Sequence, residues 1–143
     1  MRKKGFLHLV FWAIAMFLVL PAMAQSESVV TLSGNAYITS GHTAFIDEDH
    51  STIRNWNDKK TVISFYFRTE KSGNINIALQ AKGNSKIEVS LLGKKKKITL
   101  ESDELSHIEL GTFKVENPGY VKMDIRGLKI NQGADFALSH PLR

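Results

Sequence analysis

Residues 55–58, Asn55-Trp56-Asn57-Asp58, place an indole between two amides and a carboxylate. That combination suits a sugar. An indole face stacks on the C–H face of a pyranose, and amides and a carboxylate fix its hydroxyls. The same residues also describe a turn beside a buried aromatic, because large aromatics usually lie inside and Asn and Asp initiate turns. Upstream, His42 and His50 bracket Asp47-Glu48-Asp49. Such carboxylates can hold Ca2+ through oxygen, and two His with a carboxylate can hold Zn2+. The spacing matches no EF-hand loop, and a solvated acidic loop is the plainer reading. The candidate ligand-binding set is therefore Trp56, Asn57, Asp58, His42 and Asp49. No cofactor or metal is assigned, with Ca2+ the ion the acidic run would best admit.

Two further groups of residues can do chemistry. Lys94-Lys95-Lys96-Lys97 is a basic run that suits a strand edge, where Lys blocks edge-to-edge pairing, and less readily an acidic glycan or anionic surface. Tyr66 and Arg68 share the polar face of one strand, and Tyr120 follows Pro118-Gly119. Exposed, these aromatics would suit a glycan; cross-strand packing is the simpler expectation. No Gly-x-Ser-x-Gly elbow, His-Glu-x-x-His pair or phosphate loop occurs. With 14 scattered acids, no carboxylate pair for glycoside hydrolysis singles itself out. The chain has no Cys, which removes thiol catalysis, Cys metal sites and disulfide staples.

The elements that must position these groups read as strands. Residues 61–69 alternate, with Ile63, Phe65 and Phe67 on one face and Val62, Ser64, Tyr66 and Arg68 on the other. Residues 74–81, 86–92, 95–100, 107–115 and 120–130 continue the pattern, each bounded by turn residues. Gly111 shifts the phase of its strand, as a bulge would. A strand region at 29–38 precedes them, residues 39–57 form a long loop with one short strand near 44–46, and residues 134–138 supply a last strand. About eight short strands without helical periodicity predict an all-β, antiparallel two-sheet β-sandwich of jelly-roll type.

The chain begins differently. Arg2-Lys3-Lys4 precede an apolar run at residues 6–20, and Ala22 and Ala24 form an A-x-A cleavage pattern. The run is shorter than the roughly 20 residues a membrane span needs. Residues 1–24 are read as a signal peptide cleaved between Ala24 and Gln25, leaving a single domain at 25–143 that is periplasmic or extracellular and not membrane-embedded. The whole chain carries a net charge of +5, but the leader takes three cations with it, leaving about +2. The high pI is thus partly a targeting feature and no sign of a nucleic-acid partner.

Residues 32–39 (LSGNAYIT), Asn55-Trp56, residues 62–67 (VISFYF), residues 83–89 (GNSKIEV) and Pro118-Gly119-Tyr120-Val121-Lys122 together resemble the bacterial domain of unknown function 5077 family. The resemblance spans about 29–138. It implies a galactose-binding-like sandwich, similar to carbohydrate-binding modules, that often precedes a second domain in exported proteins. This chain stops at Arg143. The family supplies no catalytic residues to carry over. The expectation is an exported, non-enzymatic module binding carbohydrate through loops at one end of the sandwich. The alternatives are an interaction module docking a glycan-active partner protein and, third, a small hydrolase.

Overall fold

A computed structural model describes residue 28 and residues 30–48 and 52–130. It contains seven strands and, among the described residues, no helix: β1 (Ala36–Ser40), β2 (Phe45–Ile46), β3 (Ile53–Arg54), β4 (Val62–Thr69), β5 (Gly73–Leu91), β6 (Lys94–Val115) and β7 (Gly119–Ile130). The expected leader, the expected cleavage site and the expected last strand at 134–138 lie outside the described residues. Every pairing is antiparallel, in a five-stranded sheet of order β1-β4-β7-β5-β6 and a two-stranded sheet of β2 and β3.

Alternation builds the core as the sequence suggests. Ile63 on β4 faces Ile125 on β7, which faces Val89 on β5. The next row is Ala36, Phe65, Met123 and Leu91. All of these are buried and belong to one hydrophobic cluster. A period of two puts each strand's apolar set on the same side of the sheet, so the rows stack without a gap.

The long hairpin β5–β6 departs from expectation. Residues 82–85 read as a turn and 101–106 as a polar break, yet the chain stays in strand through both. The register slips twice. Between Ile77 and Ala78 the partner jumps from Gly111 to Glu109, and between Ala81 and Gly83 it jumps from Ser106 to Ser102. The first slip is the bulge expected at Gly111, whose φ of +106° glycine adopts without a Cβ penalty. The second leaves Asp103, Glu104 and Leu105 unmatched and exposed on β6. Polar residues persist in strand there because bulged residues face water while their neighbours still pair.

These slips divide the hairpin. Its far half pairs with β7 through residues 85–91, whereas residues 73–81 pair with β6 alone. Both halves feed the one core: Ile77, Leu79, Leu110 and Phe113 from the near half, Ile87, Val89 and Leu100 from the far half. Bulges bend a strand, which lets both halves of one hairpin close on the same core. Ile53 and Trp56 fill the same core from the segment between β1 and β4.

Candidate functional site

In the segment from 41 to 61, Asp58 ties Thr43 to residues 60 and 61. One carboxylate oxygen accepts the backbone N–H groups of Lys60 (2.6 Å) and Thr61 (2.7 Å). The other accepts the hydroxyls of Thr61 (2.8 Å) and Thr43. This is an Asx-type turn extended by two threonines, and it ties the start of the segment to its end. The Thr43 hydroxyl, with Thr61 and Lys60 behind it and partial burial opposing, holds the Asp58 carboxyl below its ordinary range. Asn55, in the left-handed region at φ +57°, donates to the Thr43 carbonyl at 2.9 Å, and Asn57 donates to the Asn55 side chain at 3.2 Å.

Trp56 corrects the sequence expectation. Its residue is 1% exposed, so neither indole face is available to a sugar. Burying an indole against Ile53 and the sheet removes more apolar area from water than any neighbouring side chain could, and that gain decides its position. Asn57 and His42 are exposed, and Asp49 lies outside the described residues with His50. The structure brings Asn57 and Asp58 near each other in a self-satisfied turn. It does not gather Trp56, Asn57, Asp58 and His42, the described members of the expected set, around a common cleft. Asp47 is engaged in its own hairpin, accepting the Thr52 N–H at 2.9 Å and pairing with Arg54 at 3.2 Å.

The side of the five-stranded sheet turned away from the core has a different character. Across adjacent strands Tyr37 faces Ser64, Tyr66 faces Lys122, and Tyr120 faces Arg68. The three tyrosines therefore step diagonally over β1, β4 and β7, each step one strand over and two residues along, about 7–8 Å. Tyr37 is 48% exposed, Tyr66 38% and Tyr120 84%. The first two rings meet edge to face, with centroids 5.7 Å apart at 74°. The Tyr37 phenol donates to the Gly34 carbonyl at 3.0 Å, which holds its ring down on the sheet.

Beside the stripe runs a chain of polar contacts. The Ser64 hydroxyl donates to Asp124 at 2.5 Å and lies 2.8 Å from the Thr39 hydroxyl. Lys122 reaches the Asp124 carboxylate at 3.0 Å, and that contact raises the Lys122 pKa. One strand further, Glu88, 7% exposed, holds Arg126 at 2.8 Å and Lys95 at 3.7 Å. Lys96 lies over the Phe113 ring, 4.8 Å from its centroid, on the edge strand β6.

Sequence reasoning named Tyr66, Arg68 and Tyr120 but preferred packing for them, and it missed Tyr37. The available signal was parity: all lie out of phase with the buried residues of their strands. What sequence cannot supply is the order β1-β4-β7, which makes three separate aromatics one surface.

The chain belongs to the family described as Domain of unknown function (DUF5077), whose profile matches residues 30–140. No curated protein matches it. Among solved structures, it is similar to the insecticidal crystal protein Cry2Aa, with TM-score 0.65 and 18% identity over 80% of this chain and 20% of that one. It is also similar to a family two carbohydrate esterase from Cellvibrio japonicus, with TM-score 0.58 and 16% identity over 82% and 33%. A third is the Podospora anserina GH26-CBM35 β-(1,4)-mannanase, with TM-score 0.56 and 12% identity over 80% and 27%. The chain thus spans a fifth to a third of the length of these proteins. At such identities the likeness concerns the fold, a β-sandwich.

Proposed function

We propose that this chain is an exported, non-catalytic β-sandwich module that binds carbohydrate on the outer sheet face rather than through its loops. One observation carries the reading: the exposed diagonal of Tyr37, Tyr66 and Tyr120, pre-set by the backbone of three paired strands. A rigid aromatic platform suits the apolar face of a pyranose, and tyrosine adds a hydroxyl for its polar rim. Covering about 50 Å² of each ring returns roughly 1 kcal/mol. Three rings give roughly 3 kcal/mol, short of the ~4 kcal/mol that a Kd of ~1 mM requires, so hydrogen bonds at the sugar rim supply the rest. Weak, extended binding is what such a surface produces.

Three other features support the reading. The sugar-active descriptions of the esterase and the mannanase concern proteins that share this fold. The N-terminal pattern of Arg2-Lys3-Lys4, apolar run and Ala22/Ala24 supports export. An open stripe holds a chain without enclosing a bond to be broken, which supports a non-catalytic role. The test is calorimetric titration of the full chain against a panel of neutral and acidic polysaccharides. Binding to at least one is expected, weakened about tenfold or more in Tyr66→Ala/Tyr120→Ala with the fold retained by circular dichroism. Absence of binding across the panel overturns the reading.

A further inference from the structure

The two outer tyrosines of the stripe do not stand alone. Tyr66 faces Lys122 and Arg68 faces Tyr120, so on adjacent strands two rings and two cations occupy alternate corners of a square. All four side chains are exposed. The diagonal of rings crosses the diagonal of charges. A sugar seated on either ring has an ammonium or a guanidinium at its edge.

The wider face repeats this bias. Moving from Tyr66 toward β6, the sheet presents Arg126, Lys95 and Lys97 beside Lys122, and the carboxylates among them are Asp124 and Glu88, with Glu101 exposed four residues beyond Lys97. Both carboxylates are already engaged, Asp124 by Ser64 and Lys122, and Glu88 by Arg126 and Lys95. Arg68 and Lys97 have no carboxylate partner among the described residues. Beside the square, the face therefore offers cations outward and keeps Asp124 and Glu88 occupied. Without its leader the chain carries only about +2, so this surface concentrates charge that the molecule as a whole does not have.

Resting on the carbohydrate-binding reading above, we propose that the square of Tyr66, Lys122, Arg68 and Tyr120 selects carboxylated polysaccharides, chains of uronic acids. The rings take the C–H faces of successive sugars. The Arg68 guanidinium offers the planar fork that matches a carboxylate with two hydrogen bonds. Lys122 has three donors and lies 3.0 Å from both oxygens of Asp124, which leaves at least one donor for a second carboxylate. Arg126, Lys95 and Lys97 draw the polyanion along the face, an attraction that salt weakens over a Debye length of about 8–10 Å. A neutral glycan would use the rings and leave the crossing cations without a role.

The experiment titrates the full chain with polygalacturonate and with alginate, each against its methyl-esterified form, which keeps the backbone and removes the charge. Anionic phosphatidylserine vesicles and duplex DNA serve as non-sugar polyanions. At least one acidic polymer is expected to bind ten times or more tighter than its ester. Arg68→Gln/Lys122→Gln should abolish that preference, bringing the acid's affinity down to that of its ester. Tyr66→Ala/Tyr120→Ala should weaken both forms, and melting curves confirm that each variant is folded. Equal affinity for acid and ester overturns the selectivity while leaving carbohydrate binding intact. Vesicles or DNA binding as tightly as the acidic polymers, with no effect of the tyrosine variant, overturns it as mere charge attraction. No binding to acid, ester or any other polysaccharide removes the carbohydrate reading itself.

Discussion

The segment around Asp58 and the outer face around Tyr66 contain similar chemistry and use it oppositely. In the first, an indole, two amides and a carboxylate all turn onto the chain itself: Trp56 enters the core, and the carboxylate of Asp58 collects donors from Lys60, Thr61 and Thr43. In the second, tyrosines and cations stand on β4 and β7, which pair with each other in unbroken register there, and the side chains are left facing water. The loop's side chains are spent making an irregular backbone stable. The sheet needs no such help from its outer face. A regular element can spare its side chains for recognition, and an irregular one often cannot.

That contrast can be broken by substitution, and the largest effect belongs to the loop. Trp56→Ala should cost about 3–5 kcal/mol of stability, the range for truncating a buried large aromatic. Chemical denaturation measures it, and a loss under 1 kcal/mol would mean that the indole is dispensable. Next is Gly41→Ala. A Cβ at this position would lie 2.6 Å from the Thr61 Cα, on a residue whose φ is +86°. Strain and overlap together should cost about 2–4 kcal/mol in the same assay.

Asp58→Asn should cost about 1–2 kcal/mol at neutral pH through weakened hydrogen bonds. Its pH dependence is more telling. The folded-state pKa of Asp58 lies below the free value of 3.8, so its contribution is complete above about pH 4 and is lost as pH falls through the folded pKa. Melting temperature should therefore drop on acidification in the parent and drop less in Asp58→Asn; parallel acid limbs would remove Asp58 from the account. The smallest effect belongs to the face. Tyr120→Ala should change stability by less than about 0.5 kcal/mol, as expected for a surface side chain with no buried contacts. A loss comparable to that of Trp56→Ala would erase the distinction between the two regions.

Much of the fold was legible because alternation is a local property. Ile63, Phe65, Met123 and Ile125 are buried where parity puts them. The hairpin's continuity was not, since residues 101–106 carry the polarity of a loop while occupying an edge strand beside a bulge. Trp56 illustrates the harder limit. Asn, Trp, Asn and Asp in a row describe a sugar site and a structural turn equally well, and only the direction of the indole separates them. The tyrosine stripe needed something else again, the neighbourhood of β1, β4 and β7, which connects residues 37, 66 and 120 through pairings up to 60 or so positions apart in sequence.

The bent hairpin has a consequence for how the molecule forms. Its strands join through Leu92 and Gly93 alone, both at positive φ, the tight connection whose twist matches paired strands. Pairing can therefore zip outward from that turn on the microsecond scale of an isolated hairpin. β4 and β7, separated by the whole hairpin, must wait for a longer loop to close. The first structure to appear would then be a ribbon belonging to both layers, with its bulges already marking where one layer ends and the other begins. Mutations at Val89 or Leu100 should slow folding, whereas those at Ile63 should chiefly hasten unfolding, a division that stopped-flow kinetics can read. The sandwich would be assembled around its own fold line, so that the tyrosine face is completed last, when β4 and β1 dock beside β7.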